Sequence, residues 1–310
     1  MPQWAGSSWY YLRYIDPKNN SELVDKKKEK YFSPVDMYVG GAEHATRHLI
    51  YARFWHKFLY DIGIVNYEEP FVRLQNVGLI LAQDGKKMSK RFGNVINPDD
   101  VVEIWGADSL RLYEMFMGPF SDSIAWNTDN IIGVRRFLER VWKIKSKIVE
   151  VKKIPGASLI ERPFHKTIKK VGEDIENYKF NTAISTMMIL LNEMEKLDSV
   201  DQEYYEIYLR LLAPFTPHIT EELWHKIGRD TSIHLEEWPK FDESKMKGEA
   251  VVMIVQINGK VRAQFEAESN LLEGEAKEKA LSLPETKKWL INKEIKKVIF
   301  VPNKIINFVV

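Results

Sequence analysis

Residues 86–91 read Lys86-Lys87-Met88-Ser89-Lys90-Arg91, four cations in six positions, directly after the turn signal Asp84-Gly85. A loop bearing several ammonium groups is what a site needs to neutralise a nucleoside triphosphate while charge shifts onto departing pyrophosphate. On that reading Lys87 and Lys90 are the acting cations. The alternative for any lysine run is a solvated face with no ligand.

A second constellation, Gly40-Gly41-Ala42-Glu43-His44-Ala45-Thr46-Arg47-His48, falls where a short apolar run over 35–39 meets a helix-period stretch from Ala42 to about Ile62. The end of a strand followed by the start of a helix is the ligand crevice of an open α/β sheet. Glycines at that point let a ligand approach the backbone closely. His44 and His48, four residues apart, would share a helix face. With Glu43 beside them they admit three readings: a metal pair without an evident third ligand, two structural histidines, or groups lining a ligand crevice. The stretch Trp4 to Tyr14 is rich in aromatic residues and includes Ser7 and Ser8. Taken alone it reads as a core strand or the rim of a helix.

Scaffolding for these segments is legible around them. Residues 77–82 form a strand candidate that leads into the lysine loop. After the loop, Asn97 caps a helix with Pro98 at its first position and Asp99 and Asp100 in its first turn; Gly106 ends it and Asp108 opens another. From Asn127 the pattern becomes helical, with Val134, Phe137, Leu138, Val141, Trp142 and Ile148 marking one apolar stripe. Further helices are expected over 164–176, 181–197, 202–213 and 217–227, joined by short links as in a bundle. At Val251 the period changes to two. Val251, Met253, Val255 and Ile257 alternate, Asn258-Gly259 signals a type I′ hairpin, and Val261, Ala263 and Phe265 alternate back. A helix over 273–291 and strands near 295–301 and 305–310 complete a β-β-α-β-β order. The expected organisation is multidomain α/β: an α/β half over 1–126, a helical bundle over 127–245 and a small α+β domain over 246–310.

Composition sets the bounds. The 310 residues are 45% apolar and 29% charged, as in ordinary globular proteins, and too many for one core. A net charge of +1 conceals strong local bias: residues 135–153 hold eight Lys or Arg against two Glu, and 287–304 hold six Lys against one Glu. Residues 192–206 reverse the sign, with six acids against one Lys. The absence of cysteine excludes disulfides and thiolate zinc sites. No apolar run nears the roughly 18 residues needed to span a bilayer. Met1-Pro2-Gln3-Trp4 has no leader pattern. The expectation is therefore a cytoplasmic location and no membrane partner.

Taken with Gly93 to Pro98 and with Trp105-Gly106-Ala107-Asp108 through Arg111, the lysine loop resembles the Lys-Met-Ser-Lys-Ser signature region of class I aminoacyl-tRNA synthetases. Arg91 stands where that signature has its last Ser, which removes a hydroxyl and adds a cation. Residues 40–48 match the Gly-Gly-x-Glu-His-x-x-x-His stretch of leucyl-tRNA synthetases, and 4–14 is similar in order and spacing to the segment that precedes it there. Valyl and isoleucyl members carry a Gly-Ser-Asp-Gln-His type of sequence at this place instead. The basic helix resembles the anticodon-stem-facing bundle of these enzymes. Residues 251–310 resemble the bacterial leucyl C-terminal domain, through Asn258-Gly259-Lys260-Val261-Arg262 and Ile295-Lys296-Lys297-Val298. The resemblance covers essentially the whole chain.

It implies an incomplete Rossmann-like catalytic half, with ATP (and its Mg²⁺), leucine and tRNA(Leu) as substrates and partners. Lys87 and Lys90 would be catalytic, and Gly40, Gly41, Glu43, His44, His48, Met88 and Ser89 would join them around ATP or the adenylate, with no resident metal. Arg135, Arg136, Lys143, Lys260, Arg262, Lys296 and Lys297 would hold tRNA phosphates. The sequence contains no His-x-Gly-His segment and nothing resembling an editing domain. The resemblance places both upstream, on an N-terminal half or α subunit. The chain is then expected to be the β subunit of a split enzyme or the C-terminal portion of a one-chain enzyme. Only Ala82-Gln83-Asp84-Gly85 separate Leu81 from Lys86, where many bacterial leucyl enzymes carry a long insertion. Two rival expectations are a noncatalytic tRNA-binding module and a class I synthetase for another aliphatic amino acid.

Overall fold

Ten elements follow one another over residues 10–144: α1 (Tyr10–Ile15), α2 (Lys26–Phe32), β1 (Tyr38–Gly41), α3 (His48–Asp61), β2 (Leu74–Val77), β3 (Ile80–Leu81), α4 (Pro98–Trp105), α5 (Ala107–Phe116), β4 (Ile124–Ala125) and α6 (Ile131–Ile144). The structure is a computed structural model that describes residues 4–150, 157–246, 250–268, 271–291 and 293–310. Lys152 and Lys153 of the basic stretch lie outside the described residues. The chain divides into two units, residues 1–140 with 174–185 and 215–219, and residues 141–173 with 186–214 and 220–310.

In the first unit β1 and β2 are parallel, Tyr38 opposite Leu74, and α3 makes the crossover between them. Tyr11, Leu12, Ala52, Leu59 and Val65 form the core beneath α3. The strand expected over 77–82 is broken in two, β2 ending at Val77 and β3 starting at Ile80. Between them the Gly78 backbone passes so close to Asp122 that a Cβ would lie 1.8 Å from its carbonyl oxygen. The helix expected from Ala42 begins only at His48. Residues 42–46 form a 3₁₀ turn, and Arg47, at φ −133° and ψ −95°, separates the two. Asn97 caps α4 as expected, its Oδ1 accepting the Asp99 N–H, with Pro98 in the first turn and Gly106 at φ +86° after its end. The Asp108 carboxylate accepts the backbone N–H groups of His218 (3.2 Å) and Ile219 (2.6 Å), satisfying two donors that the first turn of the helix from Pro217 leaves open.

α6 buries Ile131, Val134, Phe137, Leu138, Val141 and Ile144. Trp142 departs from the expected stripe: it is exposed, with the Lys226 ammonium 5.6 Å from its ring centroid. Ile148 lies past the helix, in β5 (Ile148–Val149). The helices α8 (Phe180–Glu195), α9 (Gln202–Leu212) and α10 (Pro217–Lys226) match the expected positions, whereas α7 (Ala157–Glu176) starts seven residues before the expected 164; β6 (Val200–Asp201) pairs with β5, and a short α11 (Glu243–Met246) follows. Pro163 lies inside α7.

The chain ends in β7 (Ala250–Ile257), β8 (Lys260–Glu268), α12 (Glu273–Ser282), α13 (Pro284–Leu290), β9 (Lys297–Val301) and β10 (Ile305–Val309). These form a sheet of order β8-β7-β10-β9, with β10 parallel to β7 and antiparallel to β9. Asn258 (φ +48°) and Gly259 (φ +76°) both adopt positive φ, as a type I′ turn requires. Pro284 splits the expected 273–291 helix, because it removes a donor and cannot continue the preceding turn. Val261 is exposed rather than inward, since the β7–β8 register shifts between Val255 and Gln256. Val255, Ile257, Ala276, Ala280, Ile306 and Phe308 form the core of this sheet and its helices. Among the described residues no helix is long and apolar enough to cross a membrane.

Candidate active site

At the C-terminal end of β1, an open cleft of about 280 Å³ is lined by Trp4, Ser7, Tyr10, Tyr38, Val39, Gly40, Gly41, His44, His48, Leu49 and Leu74. Of the residues singled out from sequence it gathers Gly40, Gly41, His44 and His48. Glu43 is exposed and does not line it. The two histidines sit on different elements, His44 in the 3₁₀ turn and His48 at the start of α3. Their rings are still close, with centroids 6.0 Å apart and edge to face. The expected shared helix face is thus replaced by a turn and a helix start that bring both rings to the same cleft.

A polar chain runs through the cleft. Tyr10 Oη lies 2.7 Å from Tyr38 Oη, which lies 2.5 Å from His48 Nε2. Burial, then the Tyr10 hydrogen bond, push the Tyr38 phenol above its ordinary pKa, so it stays protonated. Burial, then the nearby His44, pull the His48 imidazole below its ordinary value, so it is neutral at pH 7. His44 Nδ1 is buried with no hydrogen-bond partner. A buried polar atom of this kind carries a free-energy cost, and this one lies in the wall of the cleft. The remaining walls are aromatic and aliphatic. Such a cleft can take an apolar side chain while a few polar atoms fix its orientation. Sequence reasoning singled out the aromatic stretch holding Trp4, Ser7 and Tyr10 without assigning its members. It missed Tyr38, although strand alternation places Tyr38 on the same face as Gly40.

Among the described residues no three His, Asp or Glu side chains come together as metal ligands. Glu43, His44 and His48 are therefore not gathered into such a set.

The lysine loop is a separate construction, and none of its residues lines the cleft. Gly85, at φ +75°, makes the turn, and the Ala82 N–H donates to the Lys86 carbonyl (2.8 Å). Ser89 Oγ accepts the Arg91 N–H and so caps the 3₁₀ turn Lys90–Phe92, which ends at Gly93 with φ +63°. Asn94 ties the two sides together: its Oδ1 accepts the Ser89 N–H (2.8 Å) and its Nδ2 donates to the Lys87 carbonyl (3.4 Å). Lys87 and Lys90 are exposed, and among the described residues neither ammonium group makes an ion pair. The loop holds their backbone in place and leaves their charges free.

Asn94→Ala is expected to loosen this loop, speeding tryptic cleavage after Lys87, Lys90 or Arg91 about tenfold, the scale of one lost hydrogen bond in a local opening equilibrium. Asn94→Asp, which keeps the acceptor for Ser89, should fall between. Equal digestion rates for all three proteins would show that Asn94 does not hold the loop.

Of the basic residues expected on RNA, Arg135, Arg136, Lys143, Lys260, Lys296 and Lys297 are exposed. Arg135 is already engaged, with Glu139 (3.2 Å) and the Trp105 carbonyl (3.3 Å). Arg262 is half-buried, its guanidinium 3.5 Å from the Trp289 ring centroid and its Nε buried without a partner.

Residues 13–127 match the family model for tRNA synthetases class I (I, L, M and V), and residues 158–278 match that for the anticodon-binding domain of tRNA ligase. The agnB2 LeuRS of Agrobacterium radiobacter K84, solved as a ternary complex with tRNA and LeuAMS, is 36% identical with a TM-score of 0.75, over 98% of this chain and 42% of its own. Methionyl-tRNA synthetase of Mycobacterium tuberculosis in complex with methionyl-adenylate is 18% identical at TM-score 0.52, over 75% of this chain and 55% of its own. A second structure of that enzyme, bound by Met-AMP, is 19% identical at TM-score 0.53, over 73% and 50%. At that identity the methionyl likeness speaks to fold alone. The chain spans about half the length of these solved structures. By its class I match, its anticodon-binding match and its likeness to a LeuRS over nearly its whole length, the chain belongs to the class I tRNA synthetases of the I, L, M and V group.

Proposed function

We propose that this chain is the C-terminal portion, or the β subunit, of a cytoplasmic leucyl-tRNA synthetase, and that it acts only with an N-terminal half carrying the His-x-Gly-His segment and the editing domain. The observation that carries this reading is the 36% identity to a LeuRS over 98% of the chain. Residues 1–126 would be the second half of the catalytic domain, 127–245 the tRNA-binding bundle and 246–310 the C-terminal tRNA-binding domain.

In the reaction the leucine carboxylate attacks the α-phosphate of ATP and pyrophosphate leaves. A hydroxyl of the terminal ribose of tRNA(Leu) then attacks the leucyl carbonyl, and AMP leaves. The aromatic cleft at Tyr38 would hold the leucine side chain, with Gly40, Gly41, Glu43, His44 and His48 against the adenylate. Met88 and Ser89 hold the loop's shape while Lys87 and Lys90 neutralise charge passing to pyrophosphate. Mg²⁺ arrives with ATP as part of the substrate. The test is amino-acid-dependent ATP–pyrophosphate exchange by the chain combined with the N-terminal half. Leucine should far exceed isoleucine, valine and methionine, and a preference for any of those three would refute leucine as the substrate.

For RNA, the sheet register supports a basic patch. Ile257 pairs with Lys260 and with Phe308, and Val309 pairs with Lys297, so Lys260, Lys296 and Lys297 gather at one end of the four strands. Three strand spacings set their span at roughly 14 Å. Together with Arg135, Arg136 and Lys143 of α6 they would contact phosphates. tRNA(Leu) affinity is expected to fall about a thousandfold between roughly 50 and 200 mM salt, and the double variant Lys296→Ala, Lys297→Ala to lower the log–log slope by about two. Arg262→Ala should instead destabilise the C-terminal sheet, because its guanidinium is stacked on Trp289. A salt titration with a slope unchanged by the double variant would remove these lysines from the RNA surface.

A further inference from the structure

Of the four lysines of α2, Lys28 pairs with the buried Asp16 at the end of α1. Lys26, Lys27 and Lys30 are exposed, and among the described residues they make no ion pair. The acids nearby are already committed. Asp25 accepts the Lys27 and Lys28 N–H groups as the helix cap, and the buried Glu29 accepts from the backbone and side-chain amides of Asn66. Spacing of four sets Lys26 beside Lys30, a like-charge pair that weakens the helix and that an outside anion would relieve.

Two aromatic rings end the same helix. Tyr31 is 82% and Phe32 58% exposed, and the two pack edge to face with centroids 4.8 Å apart. Tyr31 also stands one turn from Lys27. Exposed rings beside unpaired ammonium groups are the makings of a surface for single-stranded nucleic acid, where bases stack on the rings and cations follow the phosphates. An acidic peptide would answer the charges alone. The helix is fixed to the cleft described above through α1. Asp16 accepts the Asp25 N–H and the Lys28 ammonium, and Tyr10, six residues earlier, lines the cleft. Six helical residues span roughly 9 Å. On α1 between them Tyr14 is 76% exposed and packs edge to face on Tyr10, centroids 5.2 Å apart, so the run of rings continues out of the cleft.

We infer that α2 holds the single-stranded 3′ end of tRNA as it enters the cleft, with Tyr31 and Phe32 stacking on bases and Lys26, Lys27 and Lys30 on phosphates. The inference deepens the function proposed above and rests on it.

The experiment measures binding of the full 310-residue chain to intact tRNA(Leu) and to the same tRNA trimmed of its single-stranded 3′ end. The double variant Tyr31→Ala, Phe32→Ala is expected to weaken binding of intact tRNA about tenfold and to leave the trimmed tRNA unaffected. Replacing Lys26, Lys27 and Lys30 together by Ala should lower the log–log salt slope for intact tRNA by about two, at about 0.7 per single-strand phosphate, and again spare the trimmed tRNA. Lys57→Ala, which removes a surface cation paired with Glu68 and Glu69, should change neither. Because the altered side chains are exposed, the melting temperature should not move. Wild-type affinity and slope in both α2 variants, or losses equal for the two tRNAs, overturn the inference and leave the proposed function standing. Intact tRNA affinity together with lost association with the N-terminal half assigns the surface to a protein partner and overturns it as well. Leucine-dependent exchange by the wild-type halves reads the proposed function separately: its failure beside a loss confined to intact tRNA refutes the leucyl reading and keeps α2 as the tRNA contact.

Discussion

Purified alone, the chain is expected to support no leucine-dependent exchange of pyrophosphate into ATP, and addition of a polypeptide carrying the His-x-Gly-His half is expected to restore it. On the proposed reading, Lys87 and Lys90 meet the triphosphate from the side of their own loop. Charge that builds on the phosphates during attack must be met from the other side as well, and the 310 residues contain no His-x-Gly-His segment to meet it. Each lost donor to a developing charge typically lowers the rate by about 100- to 1,000-fold, and loss of the enclosing half removes alignment of the two substrates too. Together these put the residual rate of the lone chain below detection in a radiolabelled pyrophosphate assay. The chain is nevertheless expected to retain tRNA binding, which separates absent chemistry from an unfolded protein. Robust exchange without the second polypeptide would mean that the chain holds a complete phosphate clamp of another kind.

What could be read in the sequence was mostly local. The Asn97-Pro98 cap, the Asn258-Gly259 hairpin and the helix ending before Gly228 follow from backbone preferences of single residues, and all three stand in the structure. The failures share a different cause. β4 is two residues long and exists only because Ile124 and Ala125 meet Ile80 and Leu81 from more than forty residues away. The 3₁₀ turn at 42–46 has the same apolar spacing as a helix, so periodicity alone extends α3 too early. For the candidate site, glycines and histidines at a strand end were legible as chemistry. The polar chain from Tyr10 through Tyr38 to His48 joins three elements and is not local at all. Arg262 shows the same limit, since its stacking on Trp289 joins β8 to α13 and could not be read from the basic segment alone.

Lys90→Ala in the completed enzyme is expected to lower kcat for leucyl-adenylate formation by about 100- to 1,000-fold while changing the ATP KM by no more than about threefold. Lys90 opens the 3₁₀ turn that Ser89 caps, and its side chain projects into solvent. A hydrated ammonium interacts weakly with a hydrated triphosphate, so little ground-state binding is lost with it. As pyrophosphate departs, negative charge collects on the leaving oxygens in a site from which water is being excluded, and the same ammonium becomes worth several times more. An interaction that strengthens only at that point appears in kcat. Lys90→Arg should recover part of the rate, because it restores the charge with a bulkier, more delocalised head group. Lys86→Ala serves as the control: Lys86 lies 3.7 Å from Asp84, is largely exposed, and should be nearly silent. Pre-steady-state measurement of adenylate formation across these variants isolates the chemical step from product release. A Lys90→Ala enzyme with kcat intact and only KM raised would make Lys90 a simple ATP-binding cation, and one with both intact would remove it from the site.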